Sequence, residues 1–187
     1  MDTQQDVIAV LVTDHREVEQ MFSKLEHMKG DISEEAKTLA EQVVIELVRH
    51  SVAEEEYLYP AVREHVPGGD KTADHEIAEH AEAEETMKRL EGLEPRDADF
   101  WPTTDLLIKQ IRHHLQEEEN DLFPRLREAC PPEQLVELGN KVQRAKKLAP
   151  TRPHPSAPDT PPANKLLAPG AGLVDRIRDA LTGRGRS

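Results

Sequence analysis

His50-Ser51-Val52-Ala53-Glu54-Glu55-Glu56-Tyr57-Leu58-Tyr59-Pro60 recurs 64 residues on as His114-Leu115-Gln116-Glu117-Glu118-Glu119-Asn120-Asp121-Leu122-Phe123-Pro124. The shared pattern, H-x3-E-E-x3-[FY]-P, joins an imidazole to a carboxylate at i and i+4. Four residues is slightly more than one helical turn, so both side chains leave the same face and can grip one centre. An offset of 65 relates two further histidines, aligning Asp14-His15 with Glu79-His80 and Leu25-Glu26 with Leu90-Glu91. The chemistry such a set supports is metal ligation, because imidazole suits iron, zinc, copper and nickel and a carboxylate has two oxygens with which to bridge ions. His15, His50, His80 and His114, with Glu54 and Glu118 as bridges, make a dinuclear site. Mixed nitrogen and oxygen donors with coordination positions left open point to iron, although the ligands alone also admit manganese or zinc.

Chance supplies the same spacing elsewhere in so acidic a chain. His15/Glu19, His75/Glu79, His80/Glu84 and His113/Glu117 also fit it, and each taken singly reads as a solvated helix face. The six chosen residues differ in falling on apolar stripes, where a bare carboxylate is costly unless paired or ligated. His113 falls with Gln110 and Glu117 on the polar side and reads as a surface residue. His27 at a helix end, His65 near a break and His154 in a proline-rich stretch read as solvent-exposed. His75-Glu76-Ile77-Ala78-Glu79-His80 differs from the zinc-protease H-E-x-x-H by one residue, and a separation of five turns the two imidazoles about 140° apart. Glu76, four residues before His80, is within reach of the same metal and is an additional candidate ligand.

These side chains require amphipathic helices to carry them. In the first, Ile8, Leu11, His15, Val18, Phe22 and Leu25 share a stripe that ends near Gly30. A second opens at Ser33, with Glu34 and Glu35 in its first turn, and its stripe Val43, Leu47, His50, Glu54, Leu58 is expected to be disturbed at Pro60. After Pro67-Gly68-Gly69 a third carries Ile77, His80, Ala83, Met87 and Leu90 and stops around Gly92 and Pro95. The fourth begins near Pro102 and turns Leu107, Ile111, His114, Glu118 and Leu122 inward until Pro124 and Pro131-Pro132. Four such helices with short connections predict an all-α, antiparallel up-down four-helix bundle. A short fifth helix is expected from Pro132 to about Leu148, where Leu135, Leu138 and Val142 share a face.

Composition agrees: 36% hydrophobic, 33% charged and only 3% aromatic residues fit exposed amphipathic helices better than sheets. A formal charge of −13 argues against phosphate backbones, so nucleic acid is not an expected partner. That charge is unevenly spread, with eighteen Lys/Arg against thirty-four Asp/Glu in residues 1–148 and six against three in residues 149–187. Six prolines between positions 150 and 162 preclude a helix there. The chain therefore divides into a metal-binding domain, 1–148, and a Pro-rich tail, 149–187, expected to be disordered. Within the tail Leu173, Val174, Ile177 and Leu181 mark one face of a short helix flanked by Arg176, Arg178, Arg184 and Arg186. It reads as marginal by itself, with docking onto a partner, an anionic membrane surface or the acidic bundle as the alternative. Cys130 is alone, the N-terminus lacks the basic and apolar segments of a signal peptide, and no run is long enough for a membrane span, so a cytoplasmic protein is expected.

As a set these features resemble the hemerythrin/HHE cation-binding family, whose repeated two-helix units carry a lone His and then H-x3-E. The resemblance covers about residues 5 to 128. It implies a hemerythrin-like bundle in which His15 and His50 bind one iron, His80 and His114 the other, and Glu54 and Glu118 bridge them beneath an oxo or hydroxo group. Chemistry with O2 or related small oxidants is implied too. Oxygen-carrying members have a fifth histidine four residues before the third-helix ligand, where Glu76 stands here. Their fourth-helix carboxylate is an aspartate one position beyond the place of Glu118. Each iron thus keeps an open sixth position unless water or Glu76 fills it, which suits peroxide, nitric oxide or oxygen sensing better than reversible carriage. Ferritin-like di-iron enzymes use E-x-x-H, and no histidine here has a glutamate three residues before it.

Two classes of function follow. As an enzyme with catalase- or peroxidase-like activity, the centre would dismutate or reduce hydrogen peroxide; Tyr57 and Tyr59 are candidates for nearby redox or hydrogen-bonding groups, although packing at the helix end is the favoured reading for both. As a sensor or store, it would bind iron, O2 or nitric oxide and signal through the tail.

Overall fold

The computed structural model describes residues 5–149; the disorder and the short basic helix expected of the Pro-rich tail fall on residues 150–187, outside them. Helix α1 spans Val7–His27 and opens on the Asp6 carboxylate, which accepts the Ala9 N–H at 2.8 Å. The turn after it is made by Gly30, whose φ of 88° falls in the left-handed region. Ser33 caps α2, Glu34–Ala53, which runs into a π-helical turn at Glu54–Leu58 and then α3, Tyr59–His65. Gly68, again left-handed, precedes α4, Gly69–Glu91. The second half repeats the plan: α5 is Phe100–Glu117, a second π turn covers Glu118–Leu122, and α6 is Phe123–Ala129. Helix α7 spans Pro132–Leu148, as the apolar face of that segment predicts.

Pro60 and Pro124, expected to disturb the second and fourth helices, do not end them. In each π turn one N–H reaches back five residues, from Tyr59 to Glu54 and from Phe123 to Glu118. The proline follows at once, in the opening turn of the next α segment, where its missing N–H is tolerated.

Contacts at the ends fix the directions. The start of α1 meets α6 through Asp6 and Arg127, while the turn after α1 meets the start of α5 through Lys29 and Asp105. Lys37 near the start of α2 donates to the Glu91 and Leu93 carbonyls beyond α4. This is the antiparallel up-down bundle expected, with no strand among the described residues. No helix among them is long and apolar enough to cross a membrane.

The core is split in two. One apolar cluster gathers Val7, Leu11, Leu58, Val62, Leu122 and Leu126 at one end, and another gathers Phe22, Leu25, Leu47, Leu90, Phe100 and Leu107 at the other. Between them, in one layer and one from each of α1, α2, α4 and α5, sit His15, His50, His80 and His114. Helix α7 seals the first cluster by packing across α1 and α2 with Leu135, Val142 and Ala145 buried. Its Gly139 lies flat on the entry to α1, where a Cβ would come 2.5 Å from the Gln5 carbonyl oxygen.

Gly139→Ala is therefore expected to lift α7 from the bundle and cost about 1–3 kcal/mol, with helix content kept. Thermal unfolding followed by circular dichroism tests this; an unchanged midpoint would mean that α7 is not seated as described.

Candidate metal centre

All six residues picked out by the repeat meet in the layer between the two cores, each no more than 5% exposed. Ligand atoms of His15, His50, Glu54 and Glu118 lie within 4.8 Å of one another, as do those of Glu54, His80 and His114, so Glu54 belongs to both sets. Its Oε1 is 2.9 Å from His50 Nε2 and its Oε2 is 3.3 Å from His80 Nε2. Glu118 Oε2 lies between the halves, 3.4 Å from His15 Nε2 and 3.8 Å from His114 Nε2. The inward nitrogen is Nε2 in every case.

Each outward nitrogen meets a carboxylate. Nδ1 of His15 is 2.9 Å from Glu119, that of His80 is 2.9 Å from Glu55, that of His114 is 2.9 Å from Glu79, and that of His50 is 3.4 Å from Asp14. The repeat thus contains its own support. The second glutamate of each H-x3-E-E serves the lone histidine of the other hairpin, and the acid before each lone histidine serves the histidine of the next helix. A carboxylate on Nδ1 selects the Nδ1–H tautomer, aims the ring and leaves the Nε2 lone pair inward. Sequence analysis aligned these acids without assigning them a role; the doubled glutamate and the acid-His pair were the available signal.

Tyr59 departs from the packing role expected of it. Five residues after Glu54 it would lie about 140° away on an α-helix, but the π turn brings it back over the same face. Its hydroxyl is 3.1 Å from Glu118 Oε1, 3.1 Å from His80 Nε2 and 3.5 Å from Glu54 Oε2, and the residue is 1% exposed. In the other half the equivalent Phe123 stacks on His15 with ring centroids 5.6 Å apart. Tyr57 does pack, against the first apolar cluster.

Glu76 is 3% exposed, and its Oε2 lies 3.0 Å from His114 Nδ1. Glu79 Oε2 lies 2.9 Å from the same nitrogen, so the two carboxylates share it. Ligand atoms of Glu76, His114 and Glu118 also fall within 4.8 Å of one another. His113 and His27 are exposed as expected, whereas His65 is half-buried. His154 lies outside the described residues.

Buried atoms without a well-formed hydrogen bond test whether a cation suits this layer. Of six such side-chain atoms among the described residues, five are here: His15 Nε2, His50 Nε2, Glu54 Oε1, Glu76 Oε2 and Glu118 Oε2, of which His50 Nε2 and Glu54 Oε1 face each other, and Glu76 Oε2 faces His114 Nδ1, only as ion pairs. His80 and His114 also point Nε2 at Nε2 across 3.1 Å, an arrangement that needs a proton or a cation between two lone pairs. The donors fit a first-row transition metal.

Without metal, protons do this work. Burial alone would lower the His50 pKa, but Glu54 and Asp14 outweigh it and raise it to about 10. Burial is likewise outweighed at His80, raised to about 8 by Glu54 and Glu55, and at His114, raised by Glu118, Glu76 and Glu79. Burial would raise Glu54, yet His50 and His80 hold it well below the usual carboxylate range.

Two outcomes follow. Ligation needs neutral imidazole, so at pH 7 metal uptake should release protons from His50 and His80; calorimetry in buffers of different ionisation enthalpy should show it, and uptake without release would contradict these charge states. Glu119→Gln or Glu55→Gln should weaken metal binding about 10–100-fold, measured by competition with a chelator, with the fold intact.

The hemerythrin HHE cation binding domain family model matches residues 6–126. An uncharacterized hemerythrin-like protein of Schizosaccharomyces pombe is 28% identical over 169 residues, which cover 90% of this chain and 82% of that protein. A DNA nickase of Nostoc is 27% identical over 142 residues, covering 76% of this chain but 38% of the nickase. A crystal structure of a hemerythrin HHE cation binding domain-containing protein from Mycobacterium kansasii shares the fold at a TM-score of 0.67 and 23% identity, over 76% of this chain and 86% of that one. With the family model matching more than half of its length, and its helices arranged as in that neighbour, the chain belongs to the hemerythrin HHE cation-binding family.

Proposed function

We propose that the bundle holds two iron ions between its apolar cores and uses them on hydrogen peroxide, O2 or nitric oxide, not for reversible oxygen carriage. The observation that carries this reading is the convergence of four Nε2 atoms on two shared, buried carboxylates with the Tyr59 hydroxyl among them. His15 and His50 would hold one ion, His80 and His114 the other, and Glu54 and Glu118 both. Iron bound there supplies a redox change and an open position for a small oxidant.

The chain supplies the rest. Its two apolar clusters exclude water from the layer, and Glu119, Asp14, Glu55 and Glu79 keep the imidazoles aimed. Tyr59 holds a proton at Oη: burial, then the charges of Glu118 and Glu54, raise its pKa well above the ordinary phenol value, so it remains a donor. Phe123 cannot donate. The repeat offers both ions the same ligands, but a proton donor stands only on the His80–His114 side, and Glu76 is available as a further ligand on that side alone. A pair so polarised favours proton-coupled reduction of peroxide over release of unreacted O2.

Purified protein is expected to carry two irons per chain, and Glu118→Ala to lose most of them. Tyr59→Phe should keep its iron, because Phe123 shows that a phenyl ring fits this slot, and should consume peroxide on the order of a hundredfold more slowly. Equal turnover would remove Tyr59 from the chemistry. An oxygenated form of the reduced protein that reverts under vacuum, with no peroxide consumed by the oxidised form, would overturn the reading.

A further inference from the structure

The face between α4 and α5 carries a second gathering of metal-ligating side chains. His75 Nε2 lies 2.9 Å from Glu117 Oε2 and 3.8 Å from Glu79 Oε1. His113 Nε2 lies 3.6 Å from Glu79 Oε1 and 3.5 Å from Glu117 Oε1. His75/Glu79 and His113/Glu117 are two of the H-x3-E pairs that read singly as solvated faces. Packing α4 on α5 crosses them into one cluster of two imidazoles and two carboxylates. Ligand atoms of His75, Glu79 and Glu117 fall within 4.8 Å of one another, a spacing that one ion can close.

This cluster leads inward. His75, His113 and Glu117 line a cavity of about 610 Å3 whose wall also contains Glu76, the buried carboxylate whose Oε2 lies 3.0 Å from His114 Nδ1 and makes no well-formed hydrogen bond. Glu76 groups with His114 and Glu118, and His114 groups with Glu54 and His80. Glu79 ties the outer set to the inner ones, with Oε1 facing His75 and His113 and Oε2 on His114 Nδ1. Three sets of donors therefore succeed one another from solvent to core, each touching or sharing a residue with the next. The outer imidazoles are 56% and 62% exposed, which favours capture and release over permanent holding. Excess acidic charge draws cations toward such a mouth.

We propose that His75, His113, Glu79 and Glu117 form a surface site that captures a divalent first-row transition cation and passes it by way of Glu76 to His114, loading the buried centre. The transfer is ligand exchange, with no change of oxidation state. It rests on the reading that the buried layer holds metal. If His75 and His113 merely brace Glu79 against His114, they affect neither the number of ions bound nor the speed of filling.

The experiment adds Co2+ to the metal-free full-length chain, following filling by stopped-flow absorbance and occupancy by equilibrium dialysis. The wild type is compared with His75→Ala/His113→Ala, whose altered positions are exposed and whose fold is checked by circular dichroism. The wild type should take up two tightly held ions and a third, weaker one. The double variant should keep the two, lose the third and fill about tenfold more slowly or worse. Filling at the wild-type rate, or retention of the third ion, overturns the proposal. Failure of the buried-site reading looks different: the tight pair is missing from the wild type while Zn2+ still shifts the His75 and His113 imidazole NMR signals, which supports capture and overturns transfer.

Discussion

Two glutamates buried completely in the middle of a helical bundle govern the rest of this structure. Glu54 and Glu118 are 0% exposed, and an uncompensated carboxylate in such a place costs several kcal/mol. Their compensation comes from four imidazoles, one from each main helix, whose Nε2 atoms face them. Each feature around them serves that arrangement. The apolar clusters on either side keep water from solvating the charges, and the outer carboxylates on Nδ1 prevent the imidazoles from turning away. The π turns begin at the two glutamates themselves. They bring Tyr59 onto both carboxylates and Phe123 onto His15, and let a proline follow without ending the helix.

Much of this was legible in the sequence because it is local. The stripes that hold His15, His50, His80 and His114 follow from helical period, and Glu54 and Glu118 follow from the i+4 spacing beside them. The fifth helix was visible in Leu135 and Val142. What escaped was either a change of helical period or a contact between distant segments. Pro60 reads as a disturbance only if the preceding turn is α-helical; the π turn removes the conflict and moves Tyr59 from a packing position into the centre. Glu119 reaches His15 across 104 residues and Glu55 reaches His80 across 25, so no spacing rule joins them. The His75–His113 cluster was missed for the same reason, since each pair is unremarkable until α4 and α5 meet.

The repeat makes the two halves alike in ligands and unlike in surroundings. On the His50 side Asp14 is held at 2.6 Å by Lys146 of α7, a helix without counterpart in the repeat, and both line a cavity of about 500 Å3. On the His114 side Glu79, which occupies the same place, faces the exposed His75 and His113 instead. Tyr59 and Glu76 belong to this half, Phe123 to the other. On the proposed reading, ligand duplication with unequal neighbours would give a symmetric pair of ion positions a proton donor and a loading route on one side only.

The central claim is that the layer between the two cores holds a pair of metal ions through the buried glutamates. Anomalous diffraction at the iron absorption edge from crystals of the iron-loaded full-length chain tests it most directly. The account predicts two peaks in that layer, one bonded to His15 and His50 and one to His80 and His114, both within bonding distance of Glu54. A single peak, or peaks held by the exposed histidines while the buried layer stays empty, would contradict it.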